Sequence, residues 1–247
     1  MPEPAYLRIV NDLRSRISDG TYQPGGKLPT EAQLRAQYGV STTIVKAALG
    51  ILQREGLIEG RRGSGNYVQR RRKLTRRAHG RDLRTATGST SPFARDAQAA
   101  SQQAAWEHCS EHNTATDDIA ARLGIEMGDP TMITKYRFLA DGIPIQLSTS
   151  HEPLAITEGT PVEWPEGGAA VGVVARMDSI GVRIDSFTEK VAARPATTDE
   201  IGALNLVATG AHVLTIERTY YAGELPVETA DIVLGPGYEV VYRVEID

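Results

Sequence analysis

Tyr6, Val10, Leu13 and Ile17 recur at helical spacing with polar residues opposite, so residues 4–18 read as an amphipathic helix. "DGTYQPGGKLP" (19–29) stops it with Gly, Pro and Asp signals. Thr30 followed by Gln33 is a capping box that opens a short helix carrying Leu34 inward. "YGV" (38–40) makes a tight turn, and Ser41 is placed to N-cap a helix over 42–54. That helix turns Val45, Ala48, Leu49 and Leu52 inward and leaves Thr42, Thr43, Lys46 and Gln53 outside. Gly50 within it is unfavourable by roughly 1 kcal/mol against Ala, which points to close packing there. Two short runs, "LIEGRR" and "GNYVQR", joined through Gly63-Ser64, form a hairpin with its tip at Gly63, Ser64 and Gly65.

Beyond about residue 92 the period changes from 3.6 to 2. Residues 131–139, 144–152, 183–193, 212–222, 226–234 and 238–246 alternate as antiparallel strands do. Helices are expected at 117–123, at about 169–180 and at 197–204, the last capped by Thr197 or Thr198. "LGIEMGDP" and "LNLVATGAH" each join a helix to a strand through a Gly turn, which suggests a weak internal duplication. An antiparallel sheet covered on one side by helices is an α+β architecture. Between the two patterns, residues 71–94 are rich in Arg, Gly, Ser and Thr and read as a basic interdomain linker. The domains are then 1–70, that linker, and 95–247.

Charge sharpens this division. Residues 1–84 hold 17 Lys and Arg against 7 acids, a net of +10, and the remainder holds 10 against 24, a net of −14. The segment 60–77 alone carries eight cations and no acid. One half is built to meet a polyanion. The single Cys109, an N-terminus without an apolar core and no stretch long enough to span a bilayer point to the cytoplasm, with no membrane partner.

Helix, helix, tight turn, helix and hairpin is the winged helix-turn-helix arrangement, in which the third helix meets the major groove of double-stranded DNA. Thr42, Thr43 and Lys46 are then the readers of base edges and phosphates. Thr30 and Ser41 sit at helix N-termini, where backbone N–H groups can face phosphate. Arg35, Arg61 and Arg62 are candidates for backbone or minor-groove contact, and an ordinary polar helix face and solvated charge run are the alternative.

In the second half, Lys135 and Arg137 share one strand face, which suggests an anionic small-molecule effector or, alternatively, an edge blunted by charge. "HCSEH" places His108 and His112 on one face with Cys109 opposite, so no metal site is expected. No Ser or Cys has a base at diagnostic spacing, and "RRGSG" matches neither the P-loop nor the dinucleotide fingerprint. No cofactor and no catalytic residue are expected. An enzyme carrying a DNA-binding head and a sequence-independent architectural DNA binder remain as rival readings.

"LPTEAQLRAQYGVSTTIVKAALGILQREGLIEGRRGSGNYV" resembles the DNA-binding domain of the GntR family. Ala32, Thr42 and Lys46 stand where that family commonly has Arg. "RFLADGIPIQLSTSHEP", "GVVARMDSIGVRIDSFTEKVAARPATTDE" and "ERTYYAGELPVETADIVLG" resemble the UTRA effector domain of its HutC-type branch, a chorismate lyase-like fold. The resemblance implies a homodimeric transcriptional regulator, a repressor, acting on a palindromic operator under a small-molecule effector. It further implies an effector pocket that includes Ser150 and Glu228, with Ser148 and His151 replacing the more common Glu and Tyr, and Tyr238 nearby.

Overall fold

Thr30 and Ser41 start two helices as their spacing predicts. The Gln33 amide donates to Thr30 Oγ1 at 3.3 Å while the Thr30 amide donates to Gln33 Oε1 at 2.8 Å. Ser41 Oγ accepts from the Ile44 amide at 3.4 Å. The structure is a computed structural model describing residues 4–69, 74–78, 91–168, 170–206 and 211–243. It divides into two units, one of residues 1–72 with 206–211 and the other of residues 73–205 and 212–247.

The first unit holds α1 (Ala5–Ser18), α2 (Glu31–Tyr38), α3 (Thr42–Arg54), β1 (Ile58–Arg61) and β2 (Gly65–Val68). Gly39, in left-handed conformation at φ 65°, ends α2 so that α3 can start three residues later. Leu13, Leu34, Val45, Ala48 and Leu52 are fully buried and close the core against Ile58 and Val68 of the hairpin. Two expectations fail here. The stripe of α1 is rotated, with Ile9 fully buried and Tyr6 37% exposed, because Ile9 beside Val10 broadens the apolar face. Gly50 is not closely packed: a Cβ built there meets only the Arg54 side chain, at 3.8 Å. Gly50→Ala should therefore raise stability by about 0.5–1 kcal/mol. Urea unfolding of the two proteins measures this, and a destabilised variant would reveal packing against a partner.

The second unit is built on a sheet of six antiparallel strands: β4 (Ala104–Thr114), β5 (Pro130–Ala140), β6 (Ile143–Pro153), β7 (Ser186–Pro195), β8 (His212–Ala222) and β9 (Leu225–Leu234). Their order is β4-β5-β6-β9-β8-β7. Strand, helix, strand, strand occurs twice, as β4, α5 (Asp117–Leu123), β5, β6 and as β7, α8 (Thr198–Ala203), β8, β9. The halves meet at the β6–β9 pair; of the two Gly turns from which a duplication is read, residues 207–210 of the second lie outside the described residues. Thr197 caps α8 in a box with Glu200.

Helices lie over both faces of this sheet, not one. On the outer face, Arg122 of α5 bonds Asp231, and Ala203 O of α8 accepts from Arg137. On the inner face, Phe93 of α4 (Pro92–Ala99) packs on Phe138, and Arg176 of α7 (Val173–Ser179) pairs with Glu152. A short α6 (Leu154–Thr157) follows β6.

Part of the expected linker is folded. Leu74–Arg77 forms β3, which pairs in parallel with β10 (Tyr238–Val241) as a second, two-stranded sheet. The antiparallel strand expected over 238–246 is thus shorter among the described residues, and parallel. Leu74 and Tyr238 bury against Phe93, Ile216 and Ile232, and that apolar burial is what organises the segment. Residues 71–73 and 79–90 of the expected linker lie outside the described residues.

Candidate functional sites

In the first unit the predicted readers come together on one surface. Thr42, Thr43 and Lys46 are exposed on the first turns of α3, and Ser41 precedes them as its N-cap. Thr30 and Arg35 are at the edge and on the surface of α2. Gln53 of α3 donates to Asn66 Oδ1 of β2 at 2.8 Å, fixing the hairpin to the helix.

The hairpin tip is a three-residue loop between Arg61 and Gly65, with the Ser64 amide donating to Arg61 O at 2.9 Å. Gly63 takes φ 73° and Gly65 φ 111°, conformations that L side chains resist. Gly63, Ser64 and Arg62 are exposed. Arg61 is already engaged: its Nη2 lies 2.7 Å from Glu59 Oε1 and its guanidinium sits 4.2 Å from the Tyr67 ring centroid.

In the second unit, the inner sheet face and the elements above it enclose a cavity of about 800 Å³, its open mouth included. β6 lines it with Gln146, Ser148, Ser150 and Glu152, every second residue pointing in as strand geometry requires. Tyr136 and Phe138 of β5, Trp106 of β4, Arg218 and Tyr220 of β8, and Glu228 of β9 complete that wall. The opposite wall is Phe93, residues 165–166, residues 171–173 and Arg176.

Both arginines inside it stand beside carboxylates. Arg176 donates to Glu152 through Nη1 at 2.6 Å and Nη2 at 3.0 Å, with both side chains almost wholly buried, and also to Val162 O. Arg218 lies 3.9 Å from Glu228 and covers the Tyr220 ring at 4.3 Å. Trp106 Nε1 donates to Glu166 at 3.2 Å. Burial, then the Glu166 carboxylate, pushes the Tyr136 phenol well above its ordinary range, so it stays protonated as a donor.

Ser148, Ser150 and Glu228 therefore share this cavity, whereas Lys135, Arg137 and Tyr238 do not line it. Lys135 and Arg137 do share a face, but it is the outer one. Lys135 is exposed, 3.9 Å from Glu111, and Arg137 bonds Glu107 at 3.1 Å and Ala203 O at 2.8 Å. The reason is register: Tyr136 and Phe138 turn into the cavity, so their neighbours must turn out. Tyr238 is buried in the apolar cluster under β3. His151 likewise falls opposite the inward Ser150, near Arg122, and its burial lowers its pKa. His112 stacks on Trp164 at 5.2 Å and lies 2.9 Å from Glu163.

Sequence reading missed the cavity's ion pairs. Arg176 had a signal, as the lone charge in the apolar run "AAVGVVARM". The alternation Gln146, Ser148, Ser150, Glu152 had another, a polar ladder on a strand that must bury one face.

Known proteins agree with both units. Residues 5–68 match the profile described as bacterial regulatory proteins of the gntR family, and residues 108–234 that of the UTRA domain. The transcriptional repressor NagR of Bacillus subtilis is 29% identical over 224 residues, 89% of this chain and 85% of its own. An HTH-type transcriptional regulator of Mycobacterium tuberculosis is 27% identical over 227 residues, 90% and 78% of the two chains. A crystal structure of a GntR-family regulator is 42% identical with TM-score 0.65 and covers 99% of both chains. PhnF from Mycobacterium smegmatis, 20% identical with TM-score 0.61 over 96% and 99% of the chains, shares the fold. These relatives are regulators and not enzymes, and no helix among the described residues is long and apolar enough to cross a membrane. A winged head with a polar recognition helix, followed by an α+β unit around a polar cavity, is thus the architecture of a DNA-binding, effector-responsive regulator, and the chain belongs to the GntR family of bacterial transcriptional regulators, in the branch that carries a UTRA domain.

Proposed function

We propose that this protein is a cytoplasmic homodimeric repressor of a palindromic operator, and that its effector occupies the cavity between the inner sheet face and α7. The observation that carries this reading is the cavity over the inner sheet face, lined by Ser148, Ser150 and Glu228, in the same chain as a winged head. Being a repressor rests on the likeness to NagR, which bears that name. Two heads on a two-fold axis would meet major grooves about 34 Å apart or a multiple of that. A tenfold to hundredfold response requires about 1.4–2.8 kcal/mol of coupling between effector and DNA. The ligand must therefore bind the two DNA-binding states with affinities differing by that factor.

DNA selected by the purified protein from random sequence tests the reading, and recovery of no palindrome would refute it. With the selected operator, Lys46→Ala and Thr43→Ala should each weaken binding by about 1–3 kcal/mol if they touch base edges. Unchanged gel-shift titrations for both would remove α3 as the reading helix. Arg62→Ala should weaken all DNA alike and lower the slope of log K against log salt by about 1. Arg61→Ala should change that slope less, since Glu59 already holds its charge.

A further inference from the structure

We infer that the cavity takes a hydroxyl-rich ring compound without net negative charge, an unphosphorylated sugar or amino sugar, an inference that rests on the cavity being the effector site. The cationic pair that argued for an anion, Lys135 and Arg137, faces away from it. The two arginines that do line the cavity are each beside a carboxylate, Arg176 with Glu152 and Arg218 with Glu228. Glu166 adds a third carboxylate, so the lining carries three negative groups against two positive ones.

That balance selects against anions. A phosphate dianion set beside either guanidinium would bring its charge next to Glu152 or Glu228, carboxylates that are each 1% exposed. An uncompensated buried charge is among the most costly defects a protein interior can hold. Hydroxyl and amine donors meet no such barrier. The Gln146 side-chain oxygen is buried with no hydrogen-bond partner among the described residues, and it is an acceptor in search of a donor. Ser148 and Ser150 follow it along β6 at intervals of about 6.7 Å, the two-residue rise of a strand, and extend the row of polar groups. Around this polar ladder stand Trp106, Tyr136 and Phe138, flat surfaces suited to the C–H face of a sugar.

Titration calorimetry on the full chain tests this with matched probes: glucose, galactose, mannose and glucosamine, each beside its 6-phosphate. At least one unphosphorylated member should bind about tenfold or more tightly than its phosphate. Glu166→Gln should weaken glucosamine more than glucose, since the lost carboxylate meets only the ammonium, and Ser148→Trp, which fills the cavity, should abolish binding. A phosphate ester that binds as tightly as its parent sugar, and is lost in Ser148→Trp, overturns the ligand class and leaves the site in place. Binding untouched by Ser148→Trp overturns the site as well. No binding by any unphosphorylated sugar also refutes the inference.

Discussion

Replacing Arg176 with methionine is expected to cost the second unit about 3–5 kcal/mol of stability. The guanidinium spans α7 and β6 with two hydrogen bonds to Glu152 and one to Val162 O. Methionine fills most of the volume but leaves the Glu152 carboxylate 1% exposed without its cation. For a unit of this size, each kcal/mol moves Tm by about 2–4 °C, so the expected drop is about 6–20 °C. The double variant Arg176→Met/Glu152→Leu should recover most of the loss, because it removes the stranded charge with its partner. Scanning calorimetry of the three proteins separates the cases. A single variant as stable as the parent would mean that water reaches Glu152 and the pair is not buried.

Arg76→Met is expected to act as strongly, and its cost should depend on pH. Arg76 is 1% exposed and donates to both oxygens of Glu189 on β7, where Tyr242 also donates to Glu189 Oε2 at 2.8 Å. Burial is the largest influence on Glu189 and opposes its charge. The hydrogen bonds and charge of Arg76 outweigh burial and hold the carboxyl below the ordinary glutamate range. A depressed pKa contributes stability that is present above the unfolded value, about 4.3, and is lost as pH falls through the folded value. Without Arg76, burial dominates and the Glu189 pKa rises. The variant then tolerates acid better than neutrality, because a protonated Glu189 needs no cation. The deficit against the parent should be about 3–5 kcal/mol near neutral pH and shrink as pH falls towards about 5. Urea midpoints at the two pH values measure this. A deficit independent of pH would assign the loss to packing of β3 and not to the ion pair.

What was legible in the sequence lies within a few residues of its cause. The caps at Thr30, Ser41 and Thr197 bond amides three positions on, so residue type and spacing suffice to find them. The Gly63 and Gly65 turn, the buried face of α3 and the period-2 strands are local in the same way. So is the fact that Lys135 and Arg137 share a face.

Which face that is was not local. It depends on the pairing of β5 with β6 and β4, segments whose alternation is equally regular whichever side is buried. Only the tertiary structure decided that Tyr136 and Phe138 turn inward and that the cations beside them turn out. The same holds for β3: "LTRR" has no strand signal that distinguishes it from the basic stretch around it, and it becomes a strand because Tyr238–Val241 lies alongside and Glu189 receives Arg76. Arg176 with Glu152 and Arg218 with Glu228 are joined across 24 and 10 positions by the fold alone. Sequence alone thus determined the capped helices and hairpin of the first unit, most strands of the large sheet and the family, but not β3, β4 or α4. The cavity's charge balance belongs to the assembled sheet, because a charge is matched or stranded only by what folding brings beside it.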